Sequence, residues 1–259
     1  MGVLVVKLGG SILTRKREES SLRKKVLARL AKELAEGWQA SGKGGLVVLH
    51  GAGSFGHPWA RKWHLADPPS PSDRDRVRGA ALTSYHVRIL HNAVLRALLD
   101  AGLPALSFPP LPISGNKEGN LAKFDLAPLT DAIAGGSIPL TFGDVVRDEA
   151  WGYSILSGDD IALELAAKTK VDRVIFVSDV DGILSPKAPH TLVPRLTEGL
   201  LEELKPTPGV PDVTGGIRGK AETMLAIGRT GTRTVLLNGL SGGRLKSAVA
   251  GEEVYGTWA

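Results

Sequence analysis

Val3-Leu4-Val5-Val6-Lys7-Leu8-Gly9-Gly10-Ser11 opens the chain with a short apolar run that a double glycine breaks. Val3–Leu8 reads as a β-strand, and its apolar character fits burial on both faces of a sheet. Further runs of the same kind follow at Gly45–His50, Ile138–Phe142, Arg173–Ser178 and Arg233–Leu237. Helical patterns separate them. Leu22, Val26, Leu30 and Leu34 recur every four positions, which predicts a helix over 21–36 with Ser21 as its cap. A long helix is expected over 75–101, and others over 158–169, 196–204, 216–230 and 242–249. Alternating strands and helices argue for an α/β fold with a mainly parallel sheet covered on both sides. Residues 143–156, with Gly143, Asp144, Asp148 and Gly152, suggest a small hairpin. Asp67-Pro68-Pro69-Ser70-Pro71-Ser72 is a loop too stiff for either element. The chain is expected to form a single domain over 1–259, with a second lobe opening near 167–172.

Composition narrows the function. There are 259 residues and no cysteine, which removes disulfide scaffolds, iron–sulfur clusters, cysteine-held zinc and thiol nucleophiles. Lys plus Arg outnumber Asp plus Glu by 32 to 27, a net charge of +5. That balance is mild and dispersed. Arg15-Lys16-Arg17 is short and followed by two glutamates, so no nucleic-acid partner is expected. A basic cleft would still favour a small anionic substrate. The apolar runs are far shorter than a membrane span, and with a strand reading from Val3 no signal peptide is expected. The expectation is a cytoplasmic protein without a membrane partner.

Three glycine-rich turns carry the chemistry. The first is Lys7-Leu8-Gly9-Gly10-Ser11. The second, His50-Gly51-Ala52-Gly53-Ser54-Phe55-Gly56-His57, ends strand two. The third, Asp212-Val213-Thr214-Gly215-Gly216-Ile217-Arg218-Gly219-Lys220, precedes a helix. Glycines at strand ends let backbone amides approach an anion, and helix N-termini add a positive dipole. Three such turns, two of them bearing a lysine, point to a phosphate-rich ligand at the carboxyl edge of the sheet. Gly51 to Gly56 matches G-x-G-x-x-G, but the acidic residue that should close a following strand is missing, so a nicotinamide cofactor is rejected. The third turn departs from a P-loop at both ends, with Thr214 and Ala221 in the defining positions.

Two acidic groups accompany the turns, Ser157-Gly158-Asp159-Asp160 and Ser178-Asp179-Val180-Asp181-Gly182. An aspartate at a helix start is ordinarily a cap. Beside lysine-bearing phosphate loops, the same carboxylates would orient lysines or hold magnesium–ATP. Six histidines occur, and none has metal-ligand spacing, so no protein-held metal is expected. His64 and His190 read as surface residues, and His86 and His91 as helix packing. His57 stands apart because it closes a glycine loop, where it would donate a hydrogen bond to an anion.

In their order along the whole chain, these motifs resemble the amino acid kinase superfamily. His57 after Gly53-Ser54-Phe55-Gly56 is similar to the loop of its isopentenyl phosphate kinase branch and of the related fosfomycin kinases. The resemblance implies an open αβα sandwich, with an acceptor lobe over about 1–170 and a nucleotide lobe over about 171–259. It implies transfer of the γ-phosphoryl group of ATP, with Mg2+, to isopentenyl phosphate, a step of isoprenoid synthesis by a mevalonate route. Lys7, Gly9 and Gly10 would serve the transferred phosphates, and Lys16 would reach them too. Ala52, Gly53, His57 and Gly158 would surround the acceptor phosphate. Asp159 or Asp160 would organise the lysines, Asp179 and Asp181 would lie in the nucleotide half, and Gly216 and Lys220 would contact ATP. Ala52 stands where the family often has glycine, which matters only if that backbone has positive φ. A homodimer is expected by resemblance alone. Val77, Ala80, Ala81, Leu82, Tyr85, Ile89 and Val94 of the long helix are candidates for an apolar pocket around the prenyl group. The alternatives are a kinase for another small phosphate or phosphonate such as fosfomycin, and a nucleotide sensor without turnover.

Overall fold

The computed structural model describes residues 2–15, 18–70, 73, 75–188, 191–204 and 216–259. Lys16, His190, Pro71, Ser72 and the Asp212–Gly215 part of the third turn lie outside them. The elements run β1 (Val3–Leu8), α1 (Gly10–Leu13), α2 (Lys24–Ala40), β2 (Gly45–His50), α3 (Gly53–Lys62), α4 (Arg76–Asp100), β3 (Ala105–Ser107), β4 (Ser114–Lys117), β5 (Asn120–Phe124) and α5 (Ala127–Ala134). They continue through β6 (Ile138–Phe142), β7 (Asp144–Asp148), β8 (Gly152–Leu156), α6 (Gly158–Lys168), β9 (Val171–Ser178), α7 (Glu198–Glu203), α8 (Gly216–Gly228), β10 (Arg233–Asn238), α9 (Arg244–Ala250) and β11 (Thr257–Trp258).

A seven-stranded sheet in the order β11-β10-β9-β1-β2-β6-β3 forms the centre. Its pairs are parallel, except that β11 runs antiparallel to β10. Successive residues of the inner strands face opposite sides. Val6, Val48 and Ile175 pack with α2, α4 and α9, whereas Val5, Val47 and Val174 pack with α6 and α8. The sandwich expected from the strand–helix alternation is therefore present. β9 pairs with β1 along its length, so one sheet spans the position where a second lobe was expected to open. The chain moves from β1 to one side through β2, β6 and β3, and to the other through β9 and β10. That reversal places a crevice at the carboxyl end of β1. A separate four-stranded sheet, β5-β4-β7-β8, stands beside this edge.

Two expectations about the N-terminal third change. The helix expected over 21–36 is α2, which starts at Lys24 with Arg23 as its cap, so Ser21 does not cap it. The residues before it are used in bridging. Leu22 pairs with Thr14, the Arg23 amide donates to the Leu13 carbonyl at 2.7 Å, and the Ser21 amide donates to Ser54 Oγ. The second glycine turn also becomes helical from Gly53, despite Pro58. Pro58 has no N–H to give the Ser54 carbonyl four residues earlier. The amide of Ser20 takes that place at 3.2 Å. The helix therefore exists because another segment satisfies the carbonyl that proline leaves open.

Candidate active site

Alternation along β1 sends Lys7 to the same side as Val5, the side of α6 and α8. There the Lys7 ammonium meets Asp159 of α6, Nζ to Oδ1 2.6 Å, with both side chains buried. Lys220 of α8 reaches the same oxygen at 3.6 Å. Phe176 of β9 floors the pair, its ring centre 6.0 Å from Lys7 Nζ and 5.3 Å from Lys220 Nζ. Two cations thus share one carboxylate at the switch point of the sheet. Burial pushes the Lys7 ammonium down to about 8, against the opposing pull of Asp159. Burial would raise Asp159, but the two lysines outweigh it and hold the carboxyl at about 2.

The neighbouring aspartate does something else. Ser157 caps α6 by accepting from the amides of Asp159 and Asp160, and the Asp160 carboxylate accepts in turn from the Ser157 amide at 3.4 Å. This is a capping box. The lysine ion pairs belong to Asp159, and Asp160 closes the helix start, so the choice left open by the sequence falls on Asp159.

The two N-terminal glycine turns interlock above Lys7. Gly51 lies so close to Gly10 that a Cβ on it would come within 2.8 Å of the Gly10 amide nitrogen. Gly53 has φ +50° and faces Thr14, whose hydroxyl accepts from the Ser54 amide at 2.9 Å. Ala52 has φ −74°, a conformation any residue takes, so its departure from glycine carries no backbone strain.

Ala52, His57 and Gly158 line one cleft together with Lys7, Gly10 and Gly51. Its further walls are Ala60, Val87, Ile155 and Leu156, around a space of about 600 Å³ including the open mouth. Of the residues the sequence offered for an apolar pocket, none lines this cleft. Val77, Tyr85 and Ile89 face outward, while Ala80 and Val94 are core residues. Thr83 and Val87 form the α4 wall instead. The helix turns that face toward α3 and β8, a choice made by packing partners that helical spacing alone does not name.

Asp144 also lines the cleft, although the sequence offered it only as part of a hairpin and not as a site residue. It accepts from Ser84 Oγ at 3.0 Å and from its neighbour's amide, and Arg88 stands 3.7 Å away. Burial pushes this carboxyl up to about 6. The available signal was its place just beyond a strand end, after Phe142-Gly143. A second cleft, lined by Asp159, Asp160, Gly219 and Thr223, adjoins the first through Ser157.

The remaining sequence candidates lie on the β9–β10 side. Gly9 caps α1, and its amide donates to the Val177 carbonyl of β9 at 2.8 Å. Asp179 follows β9 and accepts from Ser178 Oγ. Asp181 is tied to Arg244 at 2.5 Å and to Asn238. Gly216 begins α8 with φ +61°.

A parallel sheet with two lysines bridged by an aspartate at its switch point is an arrangement suited to phosphoryl transfer. The chain belongs to the amino acid kinase family, whose model matches residues 2–238. It is 33% identical to the isopentenyl phosphate kinase of Methanothermobacter thermautotrophicus, with 98% of both chains covered. It is 30% identical to that of Methanocaldococcus jannaschii, over 98% of this chain and 96% of the relative. Among solved structures, an isopentenyl phosphate kinase aligns with a TM-score of 0.84 at 30% identity, covering 99% of this chain and all of the other.

Proposed function

We propose that this chain transfers the γ-phosphoryl group of ATP to isopentenyl phosphate, forming isopentenyl diphosphate and ADP. The observation that carries this is the shared floor of the acceptor cleft. Its lining combines Lys7, His57 and Gly158, suited to a phosphate, with Ala60, Val87, Ile155 and Leu156, suited to a short hydrocarbon. The full-length relatives are named for that activity.

The reaction brings two anions together, so positive charge and oriented amides supply the catalysis. Lys7 and Lys220 neutralise the transferred group, and Asp159 holds both in register. His57 donates to the acceptor phosphate from the first turn and a half of α3. The acceptor phosphate attacks without a strong base because it is already ionised at neutral pH. ATP lies along the β9–β10 edge near Asp179, Gly216 and Lys220, with Lys16 reaching its phosphates. Exposed Val180 and Leu240 beyond these strands offer apolar surface for the base. Mg2+ enters with the nucleotide phosphates. The proposal includes a cytoplasmic homodimer, which light scattering tests. No described helix is long and apolar enough to cross a membrane.

The decisive experiment is a kinase assay across isopentenyl phosphate, dimethylallyl phosphate, fosfomycin, UMP and acetylglutamate. Isopentenyl phosphate should give the highest kcat/KM. Preference for fosfomycin would move the chain to the phosphonate branch, and turnover of none would leave a nucleotide sensor.

A further inference from the structure

A line of hydrogen bonds runs from the surface to the acceptor turn. Ser107, exposed at the end of the edge strand β3, has its Oγ 2.6 Å from Nε2 of His91 on α4. His91 Nδ1 lies 3.1 Å from His50 Nε2, and His50 Nδ1 lies 3.1 Å from the Gly51 carbonyl. Both rings are buried, and Phe142 packs on each, with centroids 5.0 Å and 4.2 Å away. Neither imidazole lines the acceptor cleft.

The direction of the line follows from one fact. A carbonyl oxygen only accepts, so His50 carries its proton on Nδ1. In a neutral imidazole the other nitrogen then accepts, which makes His91 Nδ1 a donor. His91 Nε2 is left as an acceptor, and the Ser107 hydroxyl donates to it. Every bond therefore points inward, toward Gly51. Burial keeps both rings neutral, pushing His50 down to about 3 and His91 to about 4, with Arg88 adding to the shift of His91.

Gly51 is where this matters. Its amide donates to the Leu8 carbonyl, and its Cα faces the Gly10 amide, so it joins the two glycine turns. The peptide unit is planar and trans, so holding the Gly51 carbonyl toward His50 turns the Ala52 N–H to the opposite side. Ala52 lines the acceptor cleft. We infer that His50 is a positioning residue for phosphoryl transfer: His91 and Ser107 hold it as the Nδ1–H tautomer, and in that form it clamps the Gly51 carbonyl and aims the Ala52 amide at the acceptor phosphate.

The tautomer claim stands without any substrate. Nitrogen-15 NMR of the imidazoles in the full chain should show protonated Nδ1 and bare Nε2 on both His50 and His91. A protonated Nε2 on His50 overturns the inference whatever the acceptor proves to be. The kinetic arm rests on the transfer reading above. His91→Leu should lower kcat/KM for isopentenyl phosphate about tenfold, the scale of a small misplacement at a reacting centre, by raising KM for the acceptor while KM for ATP stays unchanged. His91→Gln keeps one donor and one acceptor and should recover most of the loss. Loss of folded protein would lower activity without changing either KM, so the one-sided effect separates positioning from stability. Should His91→Leu not fold, Ser107→Ala answers at the exposed end: it should shift both imidazole spectra and raise KM for the acceptor alone. Unchanged spectra and an unchanged acceptor KM in Ser107→Ala would overturn the inference.

Discussion

Two buried aspartates in this molecule have carboxyls held at about 2, and they do opposite things. Asp148 sits in the small four-stranded sheet. It accepts from the amides of Glu118, Gly119, Ala150 and Trp151 and from the hydroxyl of Ser154, at 2.8–3.1 Å. Asp159 sits at the edge of the large sheet and faces two lysines. Burial raises both groups, and in each case the partners win. The partners differ in freedom. Backbone amides are held by the chain, so Asp148 locks the turns at 118–119 and 150–151 together. Lysine side chains swing, so Asp159 holds charges that can turn toward a phosphate. A low carboxyl pKa therefore marks a nest of backbone amides in one region and a lysine cluster of the candidate site in the other, and only the donors distinguish them.

The largest effect expected in the reactive region is at its acceptor end. His57→Ala should lower turnover by about 10²–10³-fold, the scale of one lost donor to transition-state charge, and His57→Gln should recover part of it. ATP affinity should barely change in equilibrium titration. Equal loss of ATP binding and catalysis would place His57 in the nucleotide half.

The comparison itself is tested by exchanging the two roles. Lys7→Ala, Lys220→Ala and Asp159→Asn should each cut turnover by at least about 10²-fold while the protein stays folded. In Asp159→Asn the unpaired Lys7, already lowered to about 8, relieves the strain by losing its proton. Asp148→Ala should do the reverse. It strands amides that a charged acceptor had satisfied, a cost of about 3 kcal/mol. For a chain of this size that is a fall in Tm of roughly 6–12 °C. Calorimetry beside a turnover assay checks both, and a normal melt for Asp148→Ala would break the comparison.

A smaller effect follows from Lys7. Its folded pKa of about 8 lies below the ordinary 10.5, so the unfolded chain binds the extra proton between these values. Burial of the charged form costs stability below about 8, and the penalty fades as pH rises toward 10.5. Activity needs the ammonium, so kcat/KM should fall about tenfold per unit above pH 8. Stability and activity should thus move in opposite directions on the alkaline side, and a common optimum in melting and kinetic profiles would contradict this. Asp148 and Asp159, whose folded values are depressed, contribute stability above about 4 that is lost as pH falls toward 2. The smallest effect belongs to Asp160→Ala. Losing half of a capping box costs about 1 kcal/mol and should leave turnover within about threefold.

How much of this was legible depends on where each residue finds its partners. The strands of the large sheet announce themselves, because Val3–Leu8, Gly45–His50 and Arg233–Asn238 carry apolar side chains to both faces. β4 and β5 do not. Ser114-Gly115-Asn116-Lys117 has no strand-forming composition, and it is extended because buried Asn116 donates to Ser154 and Ile155 and because Asp148 gathers the neighbouring turns. The two lysines of the candidate site, Lys7 and Lys220, were visible from their glycine turns. The cleft walls Thr83, Val87 and Asp144 were not, since a helix or a strand end shows its residues but not its neighbours.

By itself the sequence determined the sandwich, the three glycine turns and the family, because short-range patterns of apolar residues, glycines and lysines are written in order along the chain. Only the tertiary structure decided that Asp159 rather than Asp160 serves the lysines, that α3 begins at Gly53 in spite of Pro58, and that His50 points its proton at Gly51. Each of those depends on a group far away in the chain: Lys7 and Lys220 for Asp159, the Ser20 amide for α3, and His91 with Ser107 for His50. A hydrogen bond or an ion pair acts over a few ångströms in space, and the partner that completes it is supplied by the fold.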